Sequence, residues 1–544
     1  MKIVTVAEMQ AIERESNDKG WTYDQMMEKA GTGLAEIVES FYGYEENRSV
    51  TGLVGSGNNG GDTLVALEIL LRGGWKARAY LVRPRPKGDA LLDRFQQAGG
   101  EVVSADDDQK FKKLDSWLKE TAVLLDGVLG TGIKLPLKEE VAKVLAHVKE
   151  ANPSCFVVAV DCPSGVDLDS GAAADETIPA EVTVCMAAVK TGLLRFPARS
   201  LAGDLQVVDI GLPPRLKSWN SVKVEMVTEE MVRDLLPVRK PDSHKGTFGT
   251  VGVVAGSLNY TGAAYLCASA AYRIGAGLVQ VAVPAPLHAA LAGQLPEATW
   301  VLLPHDLGVI NEAAVDILAR YLEKVDVLLL GPGFGVEDST ANFVRRLFDQ
   351  PGAGPAARRI GFISAMERPQ AEANEQAREN NHSFPQLVID ADGLKLLARV
   401  KDWPKKLPEL SVLTPHPGEM AILTGLSVQE LQANRLEVAR KYAKAWGHVV
   451  VLKGAMTVIA EPGGQVRVIP VATSALAHAG TGDVLAGMIA GLRAQKMTAF
   501  DAAVAAAWIH AQTGLYAAQQ IGHEASVLAG DLIDFLPEVL SWVW

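Results

Sequence analysis

Cysteine is scarce in this sequence, with only Cys155, Cys162, Cys185 and Cys267 among 544 residues. No two of them form a Cys-x-x-Cys pair, so neither a zinc site nor a disulfide scaffold is predicted. Four scattered thiols are typical of small buried side chains in a reducing compartment. We therefore expect a cytoplasmic protein.

The sequence also lacks a long hydrophobic run and an excess of positive charge. Its N-terminal segment carries charges too early for a signal peptide, and its most apolar stretch, residues 263–283, is interrupted by Arg273 and several glycines. The 52 basic and 64 acidic residues leave a net charge of −12. This charge argues against broad binding to nucleic acid or to anionic membranes, but it leaves room for a local basic site that binds a phosphorylated small molecule.

What the sequence does contain is a long alternation of short apolar runs and amphipathic segments, which is typical of parallel α/β sheets. Two helices are predicted within residues 5–40, before the first series of runs. A proline-rich stretch, residues 212–247, separates this series from a second one. Because 544 residues exceed what one core usually organises, we expect two domains, residues 1–222 and 223–544.

The apolar runs give the predicted strands of each domain. In the first domain they are residues 50–54, 77–82, 123–129, 156–160, 181–186 and 205–210, and in the second domain residues 250–255, 278–283, 326–330, 387–390, 411–413 and 448–452. Two helices, at about residues 483–493 and 500–519, close the second series. Residues 364–386 are polar and out of rhythm, which predicts a surface insertion.

Three polar loops follow predicted strands of the first half, at the sheet edge where ligands usually bind. The first, GSGNNGGD at residues 55–62, opens a helix, and its glycines let backbone N–H groups approach an anion. The others are DGVLGTGIKLP at residues 126–136 and DCPSGVDLDSG at residues 161–171. Taken singly, the first loop is explained by a tight turn and Asp161 by a helix cap. Three such loops at one edge favour a site, in which Asp161 is well placed for acid–base work.

With these motifs in the order GNNGGD, GTG and DCPSG, residues 1–220 resemble the N-terminal domain of NAD(P)H-hydrate epimerases. The resemblance implies a three-layer, Rossmann-like α/β domain. It also implies an isomerase activity that interconverts the R and S hydrates of NADH and NADPH (NADHX and NADPHX). It implies Asp161 as the acid/base and a potassium ion held by Asn59, Asp126 and Ser164. The substrate-binding residues it implies are Asn58, Asn59, Gly60, Gly61, Asp62, Gly130, Thr131, Gly132, Ile133, Lys134, Leu135, Pro136 and Asp161.

The strongest signal in the second half is AGTGDVLAG, residues 479–487, where a glycine-rich turn opens a helix that carries Asp483. Exposed N–H groups there suit a transferring phosphoryl group, and the carboxylate suits a hydroxyl proton. The alternative is that Asp483 merely caps the helix. Upstream, KGAMT at residues 453–457 follows a strand and supplies a cation and a flexible turn for a nucleotide phosphate.

Further polar turns recur at the predicted strand ends of this half. They are GPGFG at residues 331–335, DADG at 390–393 and TPHPGE at 414–419, and the turns HKGTFG at 244–249 and GAGL at 275–278 complete the pattern. His416 stands between two prolines, which fix its place in the TPHPGE turn. A loop histidine is by default a hydrogen-bond partner, so a role for His416 in binding stays one of two interpretations.

Together these motifs make residues 225–544 similar to the ADP-dependent NAD(P)H-hydrate dehydratases of the ribokinase-like superfamily, which are lyases. The resemblance implies a three-layer α/β domain in which ADP phosphorylates the S-hydrate hydroxyl before phosphate is lost. It implies Asp483 as the base and magnesium bound with the nucleotide. The implied nucleotide-binding residues are Lys453, Gly454, Ala455, Met456 and Thr457, with Gly480, Thr481 and Gly482 as the anion hole, and the implied hydrate contacts are Ala263, Gly333, His416 and Asp483.

Two other interpretations compete with a repair enzyme. A ribokinase-like vitamin or sugar kinase with a regulatory first domain fits the GTGD motif equally well, and a noncatalytic nucleotide-binding scaffold is the second rival. The pairing of both halves on one damaged substrate favours repair over the kinase, and intact Asp161 and Asp483 argue against the scaffold. We also expect a homo-oligomer. No motif separates ADP from ATP or NADHX from NADPHX.

Overall fold

The computed structural model describes residues 1–349 and 384–544, and these residues form two compact units, Met1–Met226 and Val227–Trp544. Of the predicted insertion, residues 364–383 lie outside the described part of the chain, and Gln386 already begins a strand. Within the described residues, no helix is long and apolar enough to cross a membrane. All four cysteines are buried and carry free thiols.

The first unit alternates strands with helices. Its strands are β1 (Ile3–Val4), β2 (Ser49–Val54), β3 (Lys76–Leu81), β4 (Glu101–Ser104), β5 (Val123–Gly127), β6 (Phe156–Val160), β7 (Val182–Met186), β8 (Val189–Lys190), β9 (Asp204–Val208) and β10 (Val224–Met226). Its helices are α1 (Val6–Asp18), α2 (Tyr23–Tyr42), α3 (Asn58–Arg72), α4 (Ala90–Gln97), α5 (Lys112–Leu118), α6 (Glu139–Ala151), α7 (Ala198–Leu201) and α8 (Lys217–Ser221).

A parallel sheet in the order β4-β3-β2-β5-β6-β7-β9 forms the centre of this unit. Both faces of the sheet are buried: Val50 and Val54 belong to one apolar cluster, and Leu53, between them in β2, belongs to another. Strands covered on both faces read as continuous apolar runs, which is why the sequence pattern identified them. The α/β class predicted for this half is confirmed.

The second unit repeats this alternation with more elements. Its strands are β11 (Thr250–Val254), β12 (Leu278–Pro284), β13 (Thr299–Leu303), β14 (His305–Asp306), β15 (Val309–Ile310), β16 (Val327–Leu330), β17 (Gln386–Ile389), β18 (Val412–Leu413), β19 (Val449–Leu452), β20 (Val458–Ala460) and β21 (Val466–Val468). Its helices are α9 (Glu229–Leu235), α10 (Thr261–Arg273), α11 (His288–Leu291), α12 (Ala314–Tyr321), α13 (Asp338–Asp349), α14 (Asp392–Leu397), α15 (Pro417–Thr424), α16 (Val428–Ala433), α17 (Arg435–Trp446), α18 (Thr481–Ala494), α19 (Ala499–Ile521) and α20 (Ala529–Val543).

The sheet of the second unit runs β21-β20-β19-β18-β17-β16-β11-β12-β13. Its pairs are parallel from β19 to β13, and antiparallel between β19, β20 and β21. Along β16, Val327 and Leu329 enter one apolar cluster while Leu328 and Leu330 enter the other, so this sheet is also covered on both faces. The α/β class is therefore confirmed for the second half as well.

Each sheet has a point at which the strand order reverses. In the first unit β2 lies between β3 and β5, and in the second unit β11 lies between β12 and β16. At such a point the loops beyond the carboxyl ends of the strands diverge and leave a crevice, which is the usual ligand site of an open parallel sheet. The three polar loops of the first unit follow β2, β5 and β6, and in the second unit GPGFG, DADG, TPHPGE and KGAMT follow β16, β17, β18 and β19. HKGTFG and GAGL instead lead into β11 and β12.

Candidate active sites

The GNNGGD segment of the first unit forms the start of α3, immediately after β2. Gly57 is the N-cap of α3, and because glycine has no side chain it offers no acceptor to the first N–H groups of the helix. At Gly61 a Cβ would lie 2.5 Å from Sδ of Met27, and at Gly60 a Cβ would collide with the carbonyl oxygen of Gly55. Close backbone packing therefore explains both glycines, and it leaves the first N–H groups of α3 without a side-chain cap.

Asn59 ties this helix start to two other loops. Its Nδ2 donates to the carbonyl oxygens of Leu129, at 3.2 Å, and Val160, at 2.5 Å. The hydroxyl of Thr63 donates to the carbonyl oxygen of Asn59 at 2.7 Å. The three strand-end loops predicted to form one site are thus joined through one amide side chain. Gly130 also packs directly against this side chain.

Asp126, near the end of β5, is a fully buried carboxylate with one unpaired oxygen among the described residues. Its Oδ2 accepts from the backbone N–H of Ser164 at 2.7 Å. Its Oδ1 has no hydrogen-bond partner in the described part of the chain and is sealed from solvent. Burial raises the pKa of this carboxyl group above its ordinary value. A buried oxygen without a donor points to a missing cation or water.

Asp161 follows β6 in the left-handed region, with φ of 65°, and its N–H donates to the carbonyl oxygen of Val184 at 2.8 Å. Its Oδ1 accepts from the N–H of Met186 at 2.9 Å and from the ammonium group of Lys190. Among the described residues, none donates to its Oδ2. A non-glycine residue held in this backbone region by its surroundings is a common feature of active sites.

A pocket of about 90 Å³ collects much of the predicted site. Asn58, Asn59, Asp62, Thr131 and Asp161 line it, together with Glu13, Met186 and Lys190, which sequence reasoning missed. Burial and then the neighbouring charges of Asp161 and Glu13 raise the pKa of Asp62 well above its ordinary value. The remaining predicted residues do not line this pocket. Gly60 and Gly61 lie in the first turn of α3, and Gly130, Gly132, Ile133, Lys134, Leu135 and Pro136 lie in the loop on either side of Thr131.

In the second unit, the GTGD motif opens α18. Gly480, with φ of 91°, is the N-cap of this helix, and Asp483 is its third residue. Asp483 accepts no hydrogen bond from any residue that the structure describes, so the structure gives it no capping role. The turn is held by Thr481, whose hydroxyl donates to the carbonyl oxygens of Leu476 and His478, each at 2.9 Å.

Lys453 is bonded to a carboxylate other than Asp483. Its ammonium group lies 2.5 Å from Oδ1 of Asp390, which is 1% exposed. The hydroxyl of Thr414 donates to the same oxygen at 2.7 Å, and Oε2 of Glu419 is 4.0 Å from the ammonium group. Burial lowers the pKa of Lys453, but the carboxylates of Asp390 and Glu419 raise it more, so the lysine is held charged.

These charges set the protonation of Asp483. Burial, and then the negative charge of Asp390, raise the pKa of Asp483 to about 7, although Lys453 opposes the shift. A carboxylate with this pKa is a far stronger base than an exposed aspartate, and about half of it is still ionised at neutral pH. Asp483 therefore has the proton affinity that a general base requires.

A pocket of about 200 Å³ lies beside the GTGD turn. Lys453, Gly454, Ala455, Thr457, Thr481 and Gly482 line it, whereas Met456 is buried in the core and Gly480 does not reach the pocket. The remaining lining residues are mainly apolar, and they are Ile469, Val471, Thr473, Leu476, Ala477, Leu485, Ala507, His510 and Ala511. Polar groups at one end and an apolar remainder suit a nucleotide, with phosphates at the GTGD turn and the base among the apolar side chains.

The predicted hydrate contacts lie at two places in this unit. Gly333, with φ of 66°, packs so closely on Ala263 that a Cβ would lie 2.7 Å from that of the alanine. His416 is the N-cap of α15, where its Nδ1 accepts from the N–H of Gly418 at 3.0 Å and its Nε2 lies 3.2 Å from Oε1 of Glu419. The structure thus shows His416 in its hydrogen-bonding role, and its side chain is half exposed.

Comparison with known proteins gives one consistent result for the whole chain. A family model described as NAD(P)H-hydrate dehydratase matches residues 251–352 and 364–538, and one described as YjeF-related protein N-terminus matches residues 23–192. The bifunctional NAD(P)H-hydrate repair enzymes Nnr of Moorella thermoacetica and Salinibacter ruber are 37% and 34% identical to this chain. Each alignment covers 99% of this chain and 97% or 96% of the relative. A solved ADP/ATP-dependent NAD(P)H-hydrate dehydratase from Bacillus subtilis is 29% identical over 60% of this chain and all of its own, with a TM-score of 0.46.

Proposed function

The chain belongs to the family of bifunctional NAD(P)H-hydrate repair enzymes, and from this premise we propose how its two units divide the repair. The first unit epimerises the R and S hydrates of NADH and NADPH at Asp161. The second unit dehydrates the S hydrate at Asp483, with ADP as the phosphoryl donor. The observation that supports this division is that each unit holds its own pocket with an unblocked carboxylate oxygen in or beside it.

In the first unit, Asp161 exchanges a proton with the hydrate. Its Oδ1 is fully engaged by Met186 and Lys190, so proton transfer uses Oδ2. The nicotinamide hydrate lies in the 90 Å³ pocket, and the N–H groups at the start of α3 hold its phosphates. The loop at residues 130–136 covers the same ligand.

Potassium fits the cluster formed by Asn59, Asp126 and Ser164. Oδ1 of Asp126 is a buried acceptor that lacks a donor in the described residues, and hard oxygen atoms are the ligands that such a cation prefers. Bound there, the ion would supply the positive charge that this buried carboxylate lacks. Asn59 also joins the three loops, so an ion at this position would fix the pocket that holds the substrate.

In the second unit, the hydroxyl oxygen of the S hydrate attacks the terminal phosphorus of ADP and AMP leaves. The hydroxyl proton passes to Asp483 as the new bond forms. The phosphorylated hydrate then loses phosphate and a ring proton, which restores the dihydropyridine. The N–H groups of Gly480, Thr481 and Gly482 stabilise the transferring group, and Lys453 binds the nucleotide phosphates.

Magnesium fits the acidic surroundings of Lys453. This ion usually binds through one or two carboxylates together with phosphate oxygens and water. Asp390 and Glu419 offer such carboxylates beside the pocket. Bound with the nucleotide, magnesium would neutralise phosphate charge.

Three residues of the second unit contact the hydrate. They are Gly333 after β16, His416 at the start of α15, and Ala263 on α10.

The test is chromatography of mixed R and S hydrates incubated with the protein and ADP. Both epimers should disappear while NAD(P)H and AMP appear in equal amounts. Consumption of the S epimer alone would contradict the epimerase assignment. Turnover with ATP that equals or exceeds turnover with ADP, and releases ADP, would contradict the assigned donor.

We also propose that the protein works in the cytoplasm as a homo-oligomer. Its four thiols are all free and buried, as in proteins of a reducing compartment. Sedimentation of the purified chain tests the assembly, and a single species at the mass of one 57.9 kDa chain would contradict it.

A further inference from the structure

Lys190, beside Asp161, is more deeply buried than Lys453, the lysine near Asp483. Lys190 ends the short strand β8, is 1% exposed, and its Nζ donates to the carbonyl oxygen of Met186 at 3.0 Å as well as to Asp161. Burying an ammonium group costs several kcal/mol unless it is paired and hydrogen-bonded. A lysine in this place therefore needs Asp161, and Asp161 in turn is fixed by it.

The contacts around Asp161 divide its two oxygens. Both donors, the ammonium group of Lys190 and the N–H of Met186, meet Oδ1. Oδ2 has no donor among the described residues, yet it is not sealed from solvent in the way that Oδ1 of Asp126 is. Asp161 and Lys190 both line the substrate pocket. The carboxylate is thus held by one oxygen and open at the other.

Several other titratable groups face this ion pair. They are Glu13 on α1, Asp62 on α3, Cys185 in β7 and Cys162 just after β6, and all of them interact with it electrostatically. Burial lowers the pKa of Lys190, but Asp161, Cys185 and Glu13 raise it more, and the net pKa is above the ordinary value. The lysine is therefore the positive charge against which these acidic groups are balanced.

We propose that Lys190 is a positioning residue for Asp161: its ammonium group holds Oδ1, so that Oδ2 faces the hydrate and exchanges the proton with it. This inference rests on the acid/base role proposed for Asp161. Lys190 acts through the carboxylate and transfers no proton to the substrate itself. Its loss should therefore affect the chemical step more than substrate binding.

The test compares Lys190→Met and Lys190→Arg by the pH profile of R-to-S epimerisation. Lys190→Met should lower kcat by about tenfold or more and leave KM within a few-fold. The acidic limb of its pH profile should move up by about one pH unit or more, because a buried carboxylate without its counter-charge holds its proton more tightly. Lys190→Arg should bring the limb back, because it keeps the charge. Lys143→Met, which breaks an exposed ion pair with Glu139 in the same unit, is the matched control and should change neither parameter.

A second comparison separates this inference from the proposed function. In the Asp161→Asn background, Lys190→Met should have no further effect, since Lys190 acts only through the carboxylate that Asp161→Asn has already removed, and the double variant contains no unpaired buried charge. An unmoved limb in Lys190→Met, or equal losses in the Met and Arg variants, would overturn the positioning role while Asp161→Asn stays inactive. An active Asp161→Asn single variant would instead contradict the acid/base role of Asp161 and this inference with it.

Discussion

The two units build their sites from the same parts but pair the charges differently. Each has a carboxylate near the carboxyl end of a parallel sheet, a glycine-rich helix start and a buried lysine. In the first unit the lysine, Lys190, is bonded directly to the proposed acid/base, Asp161. In the second unit the lysine, Lys453, is bonded to Asp390, and Asp483 is left without a hydrogen-bonded partner among the described residues.

This difference matters because pairing decides how strongly a carboxylate holds a proton. Asp483 lacks a bonded counter-charge and faces the negative Asp390, and burial together with this neighbour raises its pKa to about 7. It suits a single proton removal from a hydroxyl group. Asp161 has its counter-charge on one oxygen and an open second oxygen, which suits a group that must both take and return a proton. The choice of partner for the lysine thus separates the two chemistries.

The largest expected effect comes from Asp483→Asn. The variant should fold, bind ADP, and lose dehydration turnover by about 100-fold or more, because Asn cannot accept the hydroxyl proton. Epimerisation should be unchanged. The matched control is Asp501→Asn. Asp501 is the third residue of α19, as Asp483 is the third residue of α18, and we assign it no role in either reaction. Similar turnover for both variants in steady-state assays would mean that Asp483 is not the base.

A smaller effect is expected for the potassium ligand set. Asp126→Asn removes the charge of the buried carboxylate, and the potassium concentration that half-activates epimerisation should rise about tenfold. Dehydration by the same protein should keep its rate. Asp108→Asn, which alters another buried carboxylate that accepts backbone N–H groups, serves as the control. Unaltered potassium dependence of the Asp126 variant in a salt titration would remove the ion from this position.

The smallest effect is a shift of pH dependence in the second unit. A base with a pKa of about 7 works when it is deprotonated, so dehydration should rise with pH through about 7 and fall on the acidic side. Asp390→Asn removes the negative charge beside Asp483, and the midpoint should move down by about one pH unit.

Asp402→Asn is the control for that profile, because Asp402 is exposed and its left-handed backbone is one that asparagine also tolerates. Thermal unfolding of both variants monitors the fold, since Asp390→Asn also removes the negative partner of Lys453. A midpoint that moves up, or does not move, would show that Asp390 does not set the protonation of Asp483.

Most of the strands that the sequence predicted lie inside a sheet and are covered on both faces. β2, β5, β6, β11, β16 and β19 are continuous apolar runs, so their composition alone identifies them. The strands that were missed among the described residues are the edge strands β4 and β13 and several strands of only two or three residues. These short strands are β1, β8, β10, β14, β15, β20 and β21. Edge and antiparallel strands carry less apolar surface, and short ones have too few residues for a pattern.

The candidate site shows the same division between local and long-range information. Glycines of the GNNGGD and GTGD motifs are visible in the sequence because each answers a local turn or close contact. The pairing of the lysines is not visible in the sequence, because it depends on tertiary packing. Lys190 is hydrogen-bonded to Asp161, whereas Lys453 is hydrogen-bonded to Asp390 and not to Asp483. A lysine that directly follows the apolar run of residues 182–189 was the one available signal that Lys190 is buried.

If the two sites work independently on one damaged substrate, the variant Asp161→Ala should lose epimerisation and keep dehydration. Mixed R and S hydrates are incubated with this variant and ADP, and both epimers are followed by chromatography beside the unaltered protein. The variant should consume the S epimer at the normal initial rate, form AMP in step, and leave the R epimer. Consumption of both epimers at the normal rate, or loss of S-epimer dehydration in a variant that still folds, would contradict this prediction.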